Sequence, residues 1–282
     1  MSCHNFRRWP PIIFAALILP LTLEGPAPGG EPTGPDKAGT GSQQGQTRRA
    51  SSASREGPVP VLSARPEDKV LRVHRTEDFA VTGRGDAPGW EKARWEPLRL
   101  RTAGGRPYRT RIKMLYSASG LYVLMDADDG RLTATMKADF LDLWNEDVFE
   151  FFLWPDQRHP LYFEYEISPL GFELPILIPN LEGTFLGWRP WHYEGPRRTR
   201  KATTVAGGPR EPGAKVTGWK AEVFVPYDLL RPLGNVPPQP GTRWRANFYR
   251  VDYDGGRPSS WDWAPVGESF HEFRKFGTLV FE

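Results

Sequence analysis

From Val70 to the C-terminus the chain runs in short stretches of alternating apolar and polar residues, each closed by a turn signal. That period of two belongs to strands, and it excludes a helical bundle before any single residue is weighed. YRTRIKMLYS (108–117) and GLYVLMDAD (120–128) meet at SASG and predict a hairpin. DVFEFFLW (147–154) and LYFEYEIS (161–168) bracket PDQRHP in the same way. FLGWRPWHY (185–193), RRTRKATTVAG (197–207) and GWKAEVFVP (218–226) follow, then RWRANFYRVDYD (243–254), SSWDWAP (259–265) and KFGTLVFE (275–282). Strands this short and frequent predict an all-β fold, an antiparallel β-sandwich of immunoglobulin-like or jelly-roll-like type. Residues 66–282 suffice for one such domain. One short helix is predicted at YDLLRPLG after Pro226, stopped by Pro232 and Gly234.

The region before this domain reads differently. Arg7 and Arg8 precede the twelve-residue apolar run IIFAALILPLTL, the layout of a secretory signal peptide over residues 1–23. A bilayer needs about 20 apolar residues, so the run is too short for a stable span. EGPAPGG follows without a clean small-x-small cleavage site, which leaves a retained tether as the alternative. Residues 24–65 are dominated by Gly, Pro, Ser, Thr and Gln, and predict a disordered linker, because they cannot bury enough apolar surface to offset chain entropy. Cys3 is the one cysteine and lies ahead of the apolar run. A chain cleaved after it would have neither disulfides nor a thiol nucleophile.

The formal net charge of +3 invites a nucleic-acid reading. Its location argues otherwise: Arg7 and Arg8 stand in the leader, and residues 24–65 carry five basic against four acidic side chains. Residues 66–282 are therefore balanced, with no basic stripe to follow phosphates, and nucleic acid is not an expected partner.

Alternation assigns faces within the strands. In LWNEDVFEFFLWP (143–155), Phe149, Phe151 and Leu153 form an apolar set, opposite Val148, Glu150 and Phe152. In the next strand Phe163, Tyr165 and Ile167 oppose Tyr162, Glu164 and Glu166, and Trp219, Ala221 and Val223 oppose Lys220, Glu222 and Phe224. A carboxylate-rich sheet face results. It is either an ordinary solvated face or a ligand face. Tryptophan favours the second reading: of 11 in the chain, Trp144, Trp188, Trp191, Trp261 and Trp263 fall at strand ends or in loops. Sugars stack their CH-rich faces on such rings, while carboxylates and guanidinium groups bind the hydroxyls.

WNEDVFEFFLWP, YFEYEISPLG, GWKAEVFVPYDLL, WRANFYRVDY, SSWDWAP and FHEFRKFGTLVF stand in the order found in carbohydrate-binding module family 9. TEDFAVTGRGDAPGWEKA (76–93) is similar to the family's opening, and the resemblance spans nearly all of residues 70–282. It implies a β-sandwich, with relation to the DOMON-like domains, that binds mono-, oligo- or polysaccharide without catalysis or a required cofactor. It further implies a secreted, periplasmic or cell-surface protein serving polysaccharide capture or catabolism. By motif position Trp144 and Trp261 resemble the family's ring-clamping tryptophans, and Glu150 its hydrogen-bonding glutamate. The family also carries structural calcium, for which Asp126, Asp128 and Asp129 are the oxygen-rich candidates, hairpin-turn solvation being their other role. One departure stands out. Glu164 occupies the position of the family's ligand-binding arginine, and Arg250 is the candidate to supply a guanidinium instead, or to pair with Asp252 or Glu222. The segment 171–195 is longer than a minimal module needs.

Two other function classes remain open on the residues alone. Glu150, Glu164 and Glu166 offer the paired carboxylates of a glycoside hydrolase, though a sandwich face gives no obvious deep cleft. A Ser–His–Asp hydrolase lacks its G-x-S-x-G elbow. Met114, Met125, Met136, His159, His192 and His271 are the residues a haem-binding redox sandwich would draw on, with core or solvated roles as the alternative.

Overall fold

The computed structural model describes residues 69–181 and 184–282; the expected signal peptide (1–23) and linker (24–65) lie outside the described residues. The strands are β1 (Val70–Arg75), β2 (Glu96–Pro97), β3 (Arg99–Leu100), β4 (Thr110–Tyr116) and β5 (Gly120–Asp128). They continue with β6 (Val148–Trp154), β7 (Leu161–Ile167), β8 (Glu173–Leu181), β9 (Thr184–Phe185) and β10 (Arg189–Pro190). The last are β11 (Arg200–Ala206), β12 (Gly218–Pro226), β13 (Arg243–Asp252), β14 (Ser259–Asp262) and β15 (Gly277–Phe281). Among the described residues the one α-helix, α1, is the single turn Tyr227–Leu230, continued by a 3₁₀ turn that ends at Gly234 in a left-handed conformation.

The strands form two layers of one curled sheet. The first runs β10-β8-β7-β6-β13-β15-β1 and the second β1-β4-β5-β12-β11. β1 belongs to both: Val70–Val73 pair with β15, while His74 and Arg75 pair with β4. Both of its pairings are parallel, so the sheet is mixed where a purely antiparallel one was expected. Between the layers lies the main core, and the predicted apolar sets build it. Phe149, Phe151 and Leu153 meet Trp219, Ala221 and Val223 from the opposite layer, with the Phe149 and Trp219 rings 3.9 Å apart.

Within the long segment 171–195, Glu173–Leu181 is a full strand paired along β7. One expectation changes: the strand at 185–193 shrinks to β9 and β10. Gly187, at φ 93°, turns the chain between them, and Pro190 lacks the N–H a ladder needs.

The solvated-face reading also fails. On the outer side of the first layer Val148, Phe152, Tyr162, Ile176 and Ile178 are buried beneath Met136, Phe140, Trp144, Phe270, Phe273 and Phe276. On the outer side of the second layer Trp90, Phe79 and Val81 cover Tyr122, Leu124 and Phe224. Glu222 anchors that cover, accepting Thr82 N–H at 2.8 Å, Gly83 N–H at 2.7 Å and the Trp90 indole N–H at 2.8 Å.

Candidate functional site

The cover over the first layer is incomplete, and the gap is a cavity of about 730 Å³. This corrects the expectation of a shallow face. Its floor is the outward row of three adjacent strands: Glu150 of β6, Glu164 and Glu166 of β7, and Ile176 and Ile178 of β8. Register explains the grouping, since Glu150 stands opposite Glu166, and Glu164 opposite Ile176. Trp144 and Trp188 form one wall with ring centroids 5.5 Å apart and planes inclined by 72°. Tyr253, Phe185, Phe270 and His271 close the rest.

The loop that carries Trp144 is held by the acids beside it. Glu146 accepts the backbone N–H groups of Thr135 and Met136 at 2.6 and 3.0 Å. Asp147 accepts those of Thr133 and Tyr253 at 2.5 and 2.8 Å. Tyr253 Oη then donates to the Trp144 carbonyl at 2.8 Å. Glu146 and Asp147 thus orient the loop, and neither lines the cavity.

The three floor carboxyls are 0–4% exposed. Burial pushes Glu150 up to about 8. Burial, and then the charge of Glu150, raise Glu164 and Glu166 well above the carboxylate range. Among the described residues Glu164 and Glu166 lean on one another, and Glu166 on the Trp144 backbone, with no stronger donor for Glu164 Oε2 or the Glu166 oxygens. His271 lies 3.9 Å from Glu164 through Nδ1, but burial pushes it down to about 4 and leaves it uncharged at neutral pH. Its Nδ1 is also 2.7 Å from Tyr162 Oη.

Of the residues expected to touch ligand, Trp144, Glu150 and Glu164 line this cavity, while Arg250 and Trp261 do not. Parity is the reason. Arg250 is in register with Phe149 and with Trp261, so all three share the inward side of the first layer. Arg250 is fully buried there, 3.0 Å from Asp129, 2.5 Å from Asp252 and 4.8 Å from the Trp261 ring. Trp261 is a core residue, 1% exposed. Neither side chain opens to the cavity.

The calcium candidates separate as well. Asp126 is claimed by Arg109 and Arg111, and Asp128 by Arg109. Asp129 turns away from them to Arg250 and to the Trp219 indole N–H. Among the described residues the acidic group able to converge on an ion is Asp129, Asp252 and Asp254. The Arg250 guanidinium pairs with two of the three, Asp129 and Asp252, while Asp254 accepts from the Tyr108 hydroxyl and the Gly130 N–H. Of the methionines a haem would draw on, Met114 and Met125 are fully buried between the layers, and Met136 packs against the outer cluster of the first layer.

The sequence does not single out Trp188, Phe185, Tyr253, Phe270 and His271 as ligand residues, and it places Glu166 on the carboxylate-rich face and in the hydrolytic cluster without naming it for ligand contact. Trp188 carried one usable signal, a tryptophan in a loop, and it remains 39% exposed.

A protein from Bacteroides uniformis provisionally assigned to carbohydrate binding superposes with a TM-score of 0.62 at 18% identity, covering 76% of this chain and all (100%) of that one. A family 9 carbohydrate-binding module from Caldicellulosiruptor kristjanssonii, in complex with cellotriose, gives a TM-score of 0.53 at 16% identity, covering 76% of this chain and 94% of the module. The fold is that of the family 9 carbohydrate-binding modules. A family 9 module from the same organism in complex with glucose agrees, with a TM-score of 0.52 at 15% identity over 75% of this chain and 95% of the module. No protein-family model matches the sequence. No curated protein matches it either. The family 9-like sandwich therefore rests on structure, where the sequence resemblance had placed it.

Proposed function

We propose that this protein is a non-catalytic saccharide-binding domain and that the outer cavity of its first layer is the binding site. The observation that carries the reading is the pairing of inclined tryptophans, Trp144 and Trp188, with a floor of carboxyls in a cavity of about 730 Å³. A ring laid on the indoles would turn its hydroxyls to Glu150, Glu164 and Glu166. Cavities of about 300–1,000 Å³ that mix apolar walls with few polar groups are the usual form of small-ligand sites. The family 9 modules of the same fold, one in complex with glucose and one with cellotriose, support the ligand class.

Titration of the full chain with glucose, cello-oligosaccharides and chito-oligosaccharides, followed by tryptophan emission, tests the proposal. Binding should quench the emission, and Trp188→Ala should weaken it. Quenching that survives in both Trp144→Ala and Trp188→Ala would remove the stacking wall from the site.

Export belongs to the same reading and rests on Arg7, Arg8 and the apolar run to Leu23. Amino-terminal sequencing of the mature protein tests it, and a start at Met1 speaks against cleavage. Among the described residues no helix is long and apolar enough to cross a membrane.

A second reading has one observation in its favour. Glu150 and Glu166 are cross-strand partners whose raised pKa values would suit a general acid. Turnover of aryl glycosides abolished by Glu150→Gln would establish hydrolysis, and absence of turnover across such substrates leaves binding alone.

A further inference from the structure

Three carboxyl side chains share the cavity floor, and among the described residues no Lys or Arg pairs with them. Arg101 lies at the rim, but its Nε is 3.2 Å from Asp262, its Nη2 donates to the Gly267 carbonyl, and its guanidinium sits over Phe270 at 4.9 Å. His271 is uncharged at neutral pH. Glu268, exposed at the mouth, adds a further acid. Buried carboxyl oxygens without partners are costly, and proteins normally satisfy them. Here, among the described residues, Glu164 and Glu166 have little besides one another and the Trp144 backbone to satisfy them, beside an open cavity, which marks them as acceptors for something that enters it.

A bare metal ion does not answer the description. One ion would need an oxygen from each residue to converge. Among the described residues the group that does so within 4.8 Å is Asp129, Asp252 and Asp254, not the floor glutamates. The floor acceptors do not converge on one point, as suits a ligand with several donors. The walls add the second requirement. Trp144 and Trp188 present π-faces, which attract cations as well as CH groups.

We propose, resting on the saccharide reading above, that this cavity selects an amino sugar in its cationic form over neutral and N-acetylated counterparts. Its ammonium supplies the missing positive charge to the Glu150–Glu164–Glu166 floor, while its ring stacks on the tryptophans. Acetylation removes the charge and most of the donors from that nitrogen. Entry of the cation also draws the floor carboxyls back toward their ionised form, so binding releases protons to solvent. The other titratable groups around the floor are Tyr162, Tyr249 and Tyr253, all raised by burial, together with His271, Arg101 and Glu268.

Calorimetric titration of the full chain near neutral pH with glucosamine, glucose and N-acetylglucosamine decides the matter. Glucosamine should bind about tenfold to a hundredfold tighter than either neutral sugar, the range expected of hydrogen bonds to a charged group. Repeating the titration in buffers of different ionisation heat should show proton release with glucosamine and none with glucose. Glu164→Gln and Glu166→Gln should each cut the glucosamine-to-glucose affinity ratio by about tenfold. If neutral sugars quench tryptophan emission but glucosamine gains nothing, the charge selection is wrong and the saccharide reading stands. If none of these sugars binds, nor any cello- or chito-oligosaccharide, both fall.

Discussion

Glu150 and Arg250 sit one register position apart across β6 and β13, yet they face opposite sides of the first layer. The consequences of substitution differ accordingly. Trp261→Ala empties a core position and should cost about 3–5 kcal/mol in chemical denaturation. Arg250→Ala should cost a similar amount, about 3–5 kcal/mol, because it strands Asp129 and Asp252 in the interior without a counter-charge. In either variant, the fraction that remains folded should bind sugar with the parent affinity. Trp188→Ala reverses the pattern: the ring is partly exposed, so its melting temperature should hold while saccharide affinity falls about tenfold. A Trp261→Ala protein that is stable yet unable to bind would restore that tryptophan to the site.

At the scale of elements, two glutamates hold segments that the strands alone would leave loose. Glu222 of β12 gathers the turn at Thr82 and Gly83 together with the Trp90 indole. Glu173 of β8 accepts hydroxyl donors from Tyr165, Tyr193 and Thr199, and pairs with Lys201 at 3.0 Å. Removing a charged acceptor with several donors costs about 1.5–3 kcal/mol or more. Glu222→Ala should therefore raise amide exchange across residues 76–93 well before it affects β6 and β7. Exchange that rises uniformly over the domain would show the cover to be inseparable from the sandwich. These anchors explain what was legible in the sequence. Alternation placed Phe149 and Phe151 in the core and Glu150 and Glu164 on one outward row, because parity is a local property. Alternation also gives Glu222 its face, but the anchoring roles of Glu173 and Glu222 left no local signal, since their donors include Thr199 and Gly83, 26 and 139 residues away. The loop bearing Trp188 was equally opaque, because the Trp144 ring it meets belongs to a different element.

For the whole molecule, the buried acids make stability depend on pH in an uncommon direction. Glu150 and Asp147, both raised to about 8 by burial, bind protons in the folded chain that the unfolded chain has already released. Stability from these groups is therefore greatest at low pH and declines as pH climbs from the ordinary carboxylate range toward 8. His271 has the opposite sign, because its lowered pKa costs stability as pH falls from 6.5 toward about 4. Between pH 6.5 and 8 only the acids act, and the melting temperature of the ligand-free protein should fall across that window. Glu150→Gln should flatten the slope. A slope that is level in the parent protein would mean that these carboxyls are already ionised at neutral pH.

The sequence by itself determined an all-β sandwich, its main core and the outward row of carboxyls, since each follows from the period of two and from short-range turn chemistry. Only the tertiary structure decided that the outward row is roofed rather than solvated, and that Trp188 rather than Trp261 stands beside Trp144. It also decided that Arg250 serves the core. Those outcomes depend on which residue lies opposite which across β6, β13 and β14 and on where a loop lands, and a register is fixed by contacts that no local pattern contains.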